Sequence, residues 1–164
     1  MNAYKDNIPQ IGKVELISIR PKKKENPISC DSVKVNPTLG IEGDHYHGKS
    51  GKRQVTLIQA EHLLSIASIL KKDHIDPLRT RRNIVVSGIN LTSLKEKQFK
   101  IGNVVLETTG VCAPCGRMEK NFGPGGFNAM RGMGGICAKV INGGEIKKGD
   151  LVQVEPSRGT ETFD

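Results

Sequence analysis

Val104-Val105-Leu106-Glu107-Thr108-Thr109-Gly110-Val111-Cys112-Ala113-Pro114-Cys115-Gly116-Arg117-Met118-Glu119-Lys120 is the stretch around which the chain is read. It starts as an alternating strand, and two thiols follow three positions apart around Ala-Pro, with Arg117 and Lys120 close behind. A Cys-x-x-Cys pair has three functional readings: two ligands of a metal, a redox dithiol, or one reactive thiolate beside a bystander. The segments on either side decide the fold around it.

Upstream, Phe99-Lys100-Ile101-Gly102-Asn103-Val104 predicts turns and a strand entering the thiol stretch. Earlier strands are expected over Lys13-Val14-Glu15-Leu16-Ile17-Ser18-Ile19-Arg20, Val33-Lys34-Val35-Asn36, Gln54-Val55-Thr56-Leu57-Ile58 and Ile84-Val85-Val86. Lys22-Lys23-Lys24-Glu25-Asn26 reads as a solvated hairpin tip, and Cys30 as a small, partly buried side chain. One helix is convincing, Gln59 to Lys72, with Leu63, Leu64, Ile66, Ala67, Ile69 and Leu70 at spacings of three and four; His62 on it is a surface or capping side chain. Downstream, glycine-dense loops around a possible short helix lead to the strand Ile136-Cys137-Ala138-Lys139-Val140-Ile141, with Cys137 out of phase with its neighbours. Lys147-Lys148-Gly149-Asp150-Leu151-Val152-Gln153-Val154 is the last strand. Many short strands, frequent turns and one long helix predict a mainly β fold, a closed or nearly closed β-barrel with a few peripheral helices.

The 164 residues are a single-domain length, so the domain is assigned to 13–155, with 1–12 as a flexible leader and 156–164 as a polar tail. Aromatics are only 4% with no Trp, while Gly numbers 19 and Pro 8, which favours short strands and turns over a helix bundle. A net charge of +8 points to anionic partners, whether nucleic acid, a membrane surface or a small phosphate- or carboxylate-bearing ligand. The basic residues are dispersed and no aromatic stacking platform is visible, so nucleic acid is not expected. No apolar run approaches a membrane span and Met1-Asn2-Ala3-Tyr4-Lys5-Asp6 lacks the apolar core of a signal peptide, which predicts a cytoplasmic protein with no membrane partner. In that compartment Cys30, Cys112, Cys115 and Cys137 are reduced thiols unless they bind metal or do redox chemistry.

Two further stretches carry donor groups. Gly43-Asp44-His45-Tyr46-His47-Gly48-Lys49-Ser50-Gly51-Lys52-Arg53 combines flexible backbone with His45, His47, Lys49, Lys52 and Arg53, a composition suited to an oxyanion; its spacing is not that of a Walker loop. Arg79-Thr80-Arg81-Arg82-Asn83 sets three fork-shaped donors and an amide just ahead of a strand, which is either a binding cluster or an exposed basic rim.

Gly43-Asp44-His45 through Arg53-Gln54-Val55, Arg81-Arg82-Asn83-Ile84-Val85-Val86-Ser87-Gly88 and Cys112-Ala113-Pro114-Cys115 occur in an order and spacing that resembles the MOSC family. That domain is named for the C-terminal part of molybdenum cofactor sulfurases and is also found as stand-alone bacterial proteins. The resemblance runs from about Gly12 to Val154 and implies a barrel of the pyruvate-kinase-barrel type with a pocket for the molybdopterin form of molybdenum cofactor. By position, Cys115 resembles the family's molybdenum ligand, and Arg81 and Asn83 its Arg-x-Asn that holds pterin and phosphate. With little chain ahead of Lys13, the His45 to Arg53 loop (His45, Lys52, Arg53) and the Arg79 to Asn83 cluster would supply phosphate contacts, with Arg117 beside the thiol. No lysine stands in a Schiff-base setting, so pyridoxal phosphate is not expected.

The resemblance therefore implies a molybdenum-dependent oxidoreductase or sulfur carrier acting through the Cys115 thiolate, served by a redox or sulfur-donor protein. A thiolate suits both, as a soft ligand and as the group that carries a persulfide, and neighbouring cations would favour the anion. The alternative is a non-catalytic module with a structural zinc site at Cys112 and Cys115, with His45 or His47 as the candidates to complete it. It lacks a second close pair, because Cys30 and Cys137 stand alone in the sequence. A thioredoxin-like dithiol fits the Ala-Pro spacer but not surroundings that read all-β.

Overall fold

The computed structural model describes residues 3–45 and 51–155. The expected first strand forms as β1 (Gly12–Ile19), and its hairpin partner is β2 (Ile28–Cys30), with Ile17 opposite Cys30. The chain continues through β3 (Ser32–Asn36), β4 (Gly40–Ile41) and β5 (Val55–Gln59), then α1 (Ala60–Ile69) and β6 (Ile84–Ser87). The stretch read as turns and one strand is a hairpin of two, β7 (Gln98–Ile101) and β8 (Val104–Val111), turning at Gly102. After it come α2 (Gly116–Phe122), α3 (Gly126–Met130), β9 (Ile136–Asn142), β10 (Gly144–Lys147) and β11 (Leu151–Gln153).

Seven strands form a closed ring in the order β1, β11, β7, β8, β9, β5, β6 and back to β1, with β2 appended to β1. Closure leaves no unpaired edge within the ring, which is how short strands of modest hydrophobicity become a stable sheet. Six of the seven pairings are antiparallel; β5 and β6 run parallel and therefore need a crossover, which α1 supplies. The barrel interior is filled by inward residues of the alternating strands, including Val14, Ile17, Leu57, Phe99, Ile101 and Leu106. A smaller sheet of β10, β3 and β4 packs alongside through Val33, Val35, Ile41 and Ile146.

A second core lies outside the barrel wall. Ile58 and Val85 point outward from the parallel pair and meet Leu63, Ile66 and Ala67 of α1 with Met118, Phe122, Ala129 and Met130 of the two short helices. This is why β5 is buried along its whole length and reads as a continuous apolar run. The helix stripe is narrower than the sequence suggests: Leu64 and Ile69 are exposed, and only Leu63, Ile66 and Ala67 are buried. No described helix is long and apolar enough to cross a membrane.

Three other sequence readings change. The thiol stretch is not in all-β surroundings: β8 leads through Cys112-Ala113-Pro114 into α2, with Cys115 at its N-cap. Cys137 is not isolated, since both faces of β9 are covered there and its thiol faces Cys112. Within the segment assigned as leader, Ala3–Asp6 forms a 3-10 turn whose Asp6 carboxylate pairs with Lys97 at 2.5 Å.

Candidate functional site

The end of β1, the start of β5, the approach to β6, the Asp44-His45 segment and the turn before α2 enclose a cavity of about 370 Å3. One wall is the end of β1 and its hairpin, with Arg20, Lys23 and Lys24; the tip read as a solvated charge cluster thus turns two of its lysines into the cavity. The opposite wall carries Arg81, Asn83 and the start of β5, while Cys115 and Arg117 close the third side. Seven of the lining residues are Lys or Arg and one is acidic, Asp44. Asp44 accepts the Arg20 backbone N–H at 2.8 Å, and as one acid against seven cations it offsets only part of the positive charge. The Arg20 guanidinium is pushed below its ordinary range, first by burial and then by Arg117 and Arg53, with Asp44 opposing. Cations that depress one another across a cavity are what a bound anion would relieve.

Two buried atoms of cavity-lining residues sharpen this. His45 Nε2 and Arg81 Nη2 are buried with no hydrogen-bond partner among the described residues. A buried polar group without a partner costs roughly 1–3 kcal/mol, more when charged, so such groups in a cavity are donors waiting for a ligand. Arg81 also sits in the left-handed region at φ 60°, closing the 3-10 turn Pro77–Thr80, where its N–H bonds Leu78 O. That conformation is unfavourable for an L-residue by roughly 1–2 kcal/mol. It turns the chain sharply between the 3-10 turn and β6.

The next residue, Arg82, has the opposite circumstance although it also borders the cavity. It is 3% exposed, and its guanidinium donates to four carbonyls: Gly134 (2.8 Å), Thr80 (3.0 Å), Cys112 (3.3 Å) and Ala113 (3.3 Å). Arg82 therefore pins the Cys112–Pro114 strap to the barrel. Close approach needs the glycines behind it: a Cβ on Gly134 would lie 2.2 Å from Cys112 O, and one on Gly135 would lie 1.8 Å from Leu57 O. Asn83 is likewise engaged. Its side-chain oxygen accepts from the Thr56 N–H and hydroxyl, both at 3.0 Å, and its amide donates to Ser18 O at 3.3 Å, which stitches β5, β6 and β1 at the cavity floor.

The two thiols of the motif part company. Cys115 is exposed on the cavity wall. Cys112 is 1% exposed, and its thiol is lowered to about 6, chiefly by the S–H of Cys137 directed at it and next by Arg82 and Arg53, against the opposing effect of burial. Cys137 is correspondingly raised, because it keeps the proton the pair shares.

Of the residues singled out from the sequence, Arg81, Asn83, His45, Arg53, Arg117 and Cys115 come together around the cavity. Arg79 and Lys52 do not line it. The Arg79 guanidinium donates to Asn121 O at 3.1 Å, and the Lys52 carbonyl accepts from the Thr109 hydroxyl. His47 and Lys49 lie outside the described residues. Among the described residues no three His, Cys, Asp or Glu side chains gather as a metal-ligand set. Sequence reading missed Arg20, Lys23 and Lys24; the only signal was the density of cations around the Pro21 turn.

The family model described as MOSC domain matches residues 43–153. Among solved structures, the YuaD protein from Bacillus subtilis superposes with a TM-score of 0.76 at 22% identity, covering 93% of this chain and 100% of that one. YiiM from Geobacillus stearothermophilus gives 0.70 at 18% identity, covering 90% and 77%. YiiM from Escherichia coli gives 0.67 at 18%, covering 92% and 73%. At these identities the likeness shows the fold. No curated protein matches the chain.

Proposed function

The chain belongs to the MOSC domain family, and from that premise we propose that it binds molybdenum cofactor in the cationic cavity and acts through Cys115 as an oxidoreductase or a sulfur carrier. The observation that carries the reading is a pair of buried atoms with no partner among the described residues, His45 Nε2 and Arg81 Nη2, on residues that line a cavity with seven Lys or Arg residues and one acid. A pterin bearing a phosphate fits this donor set in charge and in hydrogen-bonding sense, since guanidinium forks match phosphate oxygens.

Arg81, Arg20 and Arg53 would hold the phosphate, with His45 completing the contacts. Asn83, at the Arg-x-Asn position, also fixes the floor on which Arg81 stands, through the bonds of its amide to Thr56 and Ser18, and its second amide hydrogen is left to meet the ligand. Cys115 offers an exposed soft sulfur on the same wall as Arg117, as a molybdenum ligand or a persulfide carrier requires. When bound, the molybdenum centre supplies two-electron redox or sulfur-transfer chemistry. The protein's own part is to orient the anion and present the thiol.

Metal and pterin analysis of protein purified from a cofactor-competent host tests this. Near-stoichiometric molybdenum and pterin are expected in the wild type, with molybdenum sharply reduced in Cys115→Ser. Equal molybdenum in both would sink the ligand assignment, and neither molybdenum nor pterin in the wild type would sink the whole reading.

A further inference from the structure

The cofactor reading uses Cys115 and leaves a second sulfur site unexplained. Cys112 and Cys137 lie on neighbouring segments where β8 gives way to the strap: Gly110 pairs with Cys137, Val111 with Ile136, and the Cys112 N–H bonds Gly135 O at 2.8 Å. A register shift between Thr108 and Gly110 offsets the two strands, which brings the side chain of Cys112 round to Cys137. Both are buried, at 1% and 9% exposure.

The charge environment makes this more than a packed pair of small side chains. Arg82 is a buried cation with no carboxylate ion pair among the described residues; its hydrogens are taken by four neutral carbonyls. A buried charge without a counter-charge is costly, and the acidic groups set against it are thiols, Cys112 first, then Cys137 and Cys115, with Arg53 adding a second positive charge. A thiolate held by a guanidinium is the reactive form of cysteine, and here a second thiol already faces it.

We infer that Cys112 and Cys137 are a buried redox dithiol that closes to an intramolecular disulfide when the protein meets a peroxide, without the participation of Cys115. The Cys112 thiolate attacks one peroxide oxygen, the O–O bond breaks, and hydroxide leaves, giving a sulfenic acid. The Cys137 sulfur then attacks the Cys112 sulfur, forming the S–S bond and releasing water, which carries off the Cys137 proton. One peroxide is reduced as two thiols are oxidised, and a small dithiol reverses the change. Burial restricts the oxidant to one the size of hydrogen peroxide. Closure ties the strap that carries Cys115 to β9 and removes the anionic partner of Arg82.

The test treats the full-length wild type and Cys115→Ser with hydrogen peroxide, blocks remaining thiols in denaturant, and maps disulfides by mass spectrometry. A Cys112 to Cys137 link is expected in both proteins, with two free thiols left in the wild type out of four, and dithiothreitol restores all four. Cys137→Ala, checked for folding by circular dichroism, loses the link. A disulfide between Cys112 and Cys115, or a Cys115→Ser protein that keeps its three thiols under conditions that oxidise the wild type, overturns the inference. The decisive variant changes an exposed side chain, so its folding is not at risk, and neither outcome depends on whether molybdenum cofactor binds.

Discussion

Arg81 and Arg82 are adjacent in the chain and border the same cavity, yet they belong to two different regions of the molecule. Arg81 stands with its neighbours Arg20, Arg53 and Arg117 among groups of like charge, with one nitrogen buried and without a partner among the described residues. Arg82 belongs to the layer beneath the strap, where every nitrogen of its guanidinium donates to a carbonyl. A satisfied guanidinium stabilises the fold, whereas an unsatisfied one marks where the fold expects something else. Cationic density alone cannot separate the two cases; hydrogen-bond accounting does.

The largest effect should come from breaking the satisfied member. Arg82→Met leaves the carbonyls of Gly134, Cys112 and Ala113 without their donor and is expected to cost about 3–5 kcal/mol, read as a lower urea midpoint. An unchanged midpoint would show that the strap needs no pin.

The sulfur that faces Arg82 should make its contribution depend on pH. A thiol lowered from an ordinary value near 9 to about 6 adds stability that is full above the unfolded value and is lost as pH falls through the folded one. Cys137, raised in the folded protein, has the opposite sign and works against stability only above about pH 9. Urea unfolding of wild type and Cys112→Ala should therefore diverge as pH rises from 6 to 8.5, by about 1–2 kcal/mol once relaxation of the pair is allowed for. Parallel curves across that range would place no charge on Cys112.

Arg81→Gly should change stability least of the three, within about 1 kcal/mol, because relief of the left-handed strain is offset by the greater freedom of the unfolded chain. Its molybdenum loading should nevertheless fall about tenfold or more, equivalent to at least roughly 1.4 kcal/mol of lost binding. Unfolding and metal content measured on one preparation separate the two. A large stability loss with full loading would reverse the roles assigned to Arg81 and Arg82.

Much of the barrel was legible in the chain. Val33 and Val35, and Val104 and Leu106, alternate as half-buried strands must, and β1 and β3 formed close to the expected bounds; in β1 a register shift after Val14 moves the inward face to Ile17, and β8 runs on to Val111 past the expected strand. The helix was legible too, but its width was not, because Leu64 and Ile69 match the helical period without meeting a partner element. The site was visible as a set of residue types. His45, Arg53, Arg81, Asn83, Cys115 and Arg117 do converge, but Arg79 reaches Asn121 instead, and Arg20, Lys23 and Lys24 arrive from a hairpin that looked like a solvent-facing turn.

The chain by itself determined the strands, their turns, the excess of positive charge and the presence of a thiol pair, because each is written in near neighbours: a period of two, a glycine at a turn, a spacing of three. Tertiary structure decided the rest. It closed the ring by pairing β1 with β11, gave Arg82 its four carbonyls, left Arg81 Nη2 without a partner among the described residues, and moved the partnership of Cys112 from Cys115 to Cys137. These outcomes depend on register and on one bulge between residues far apart in sequence. No local pattern records which donor will find its acceptor already taken.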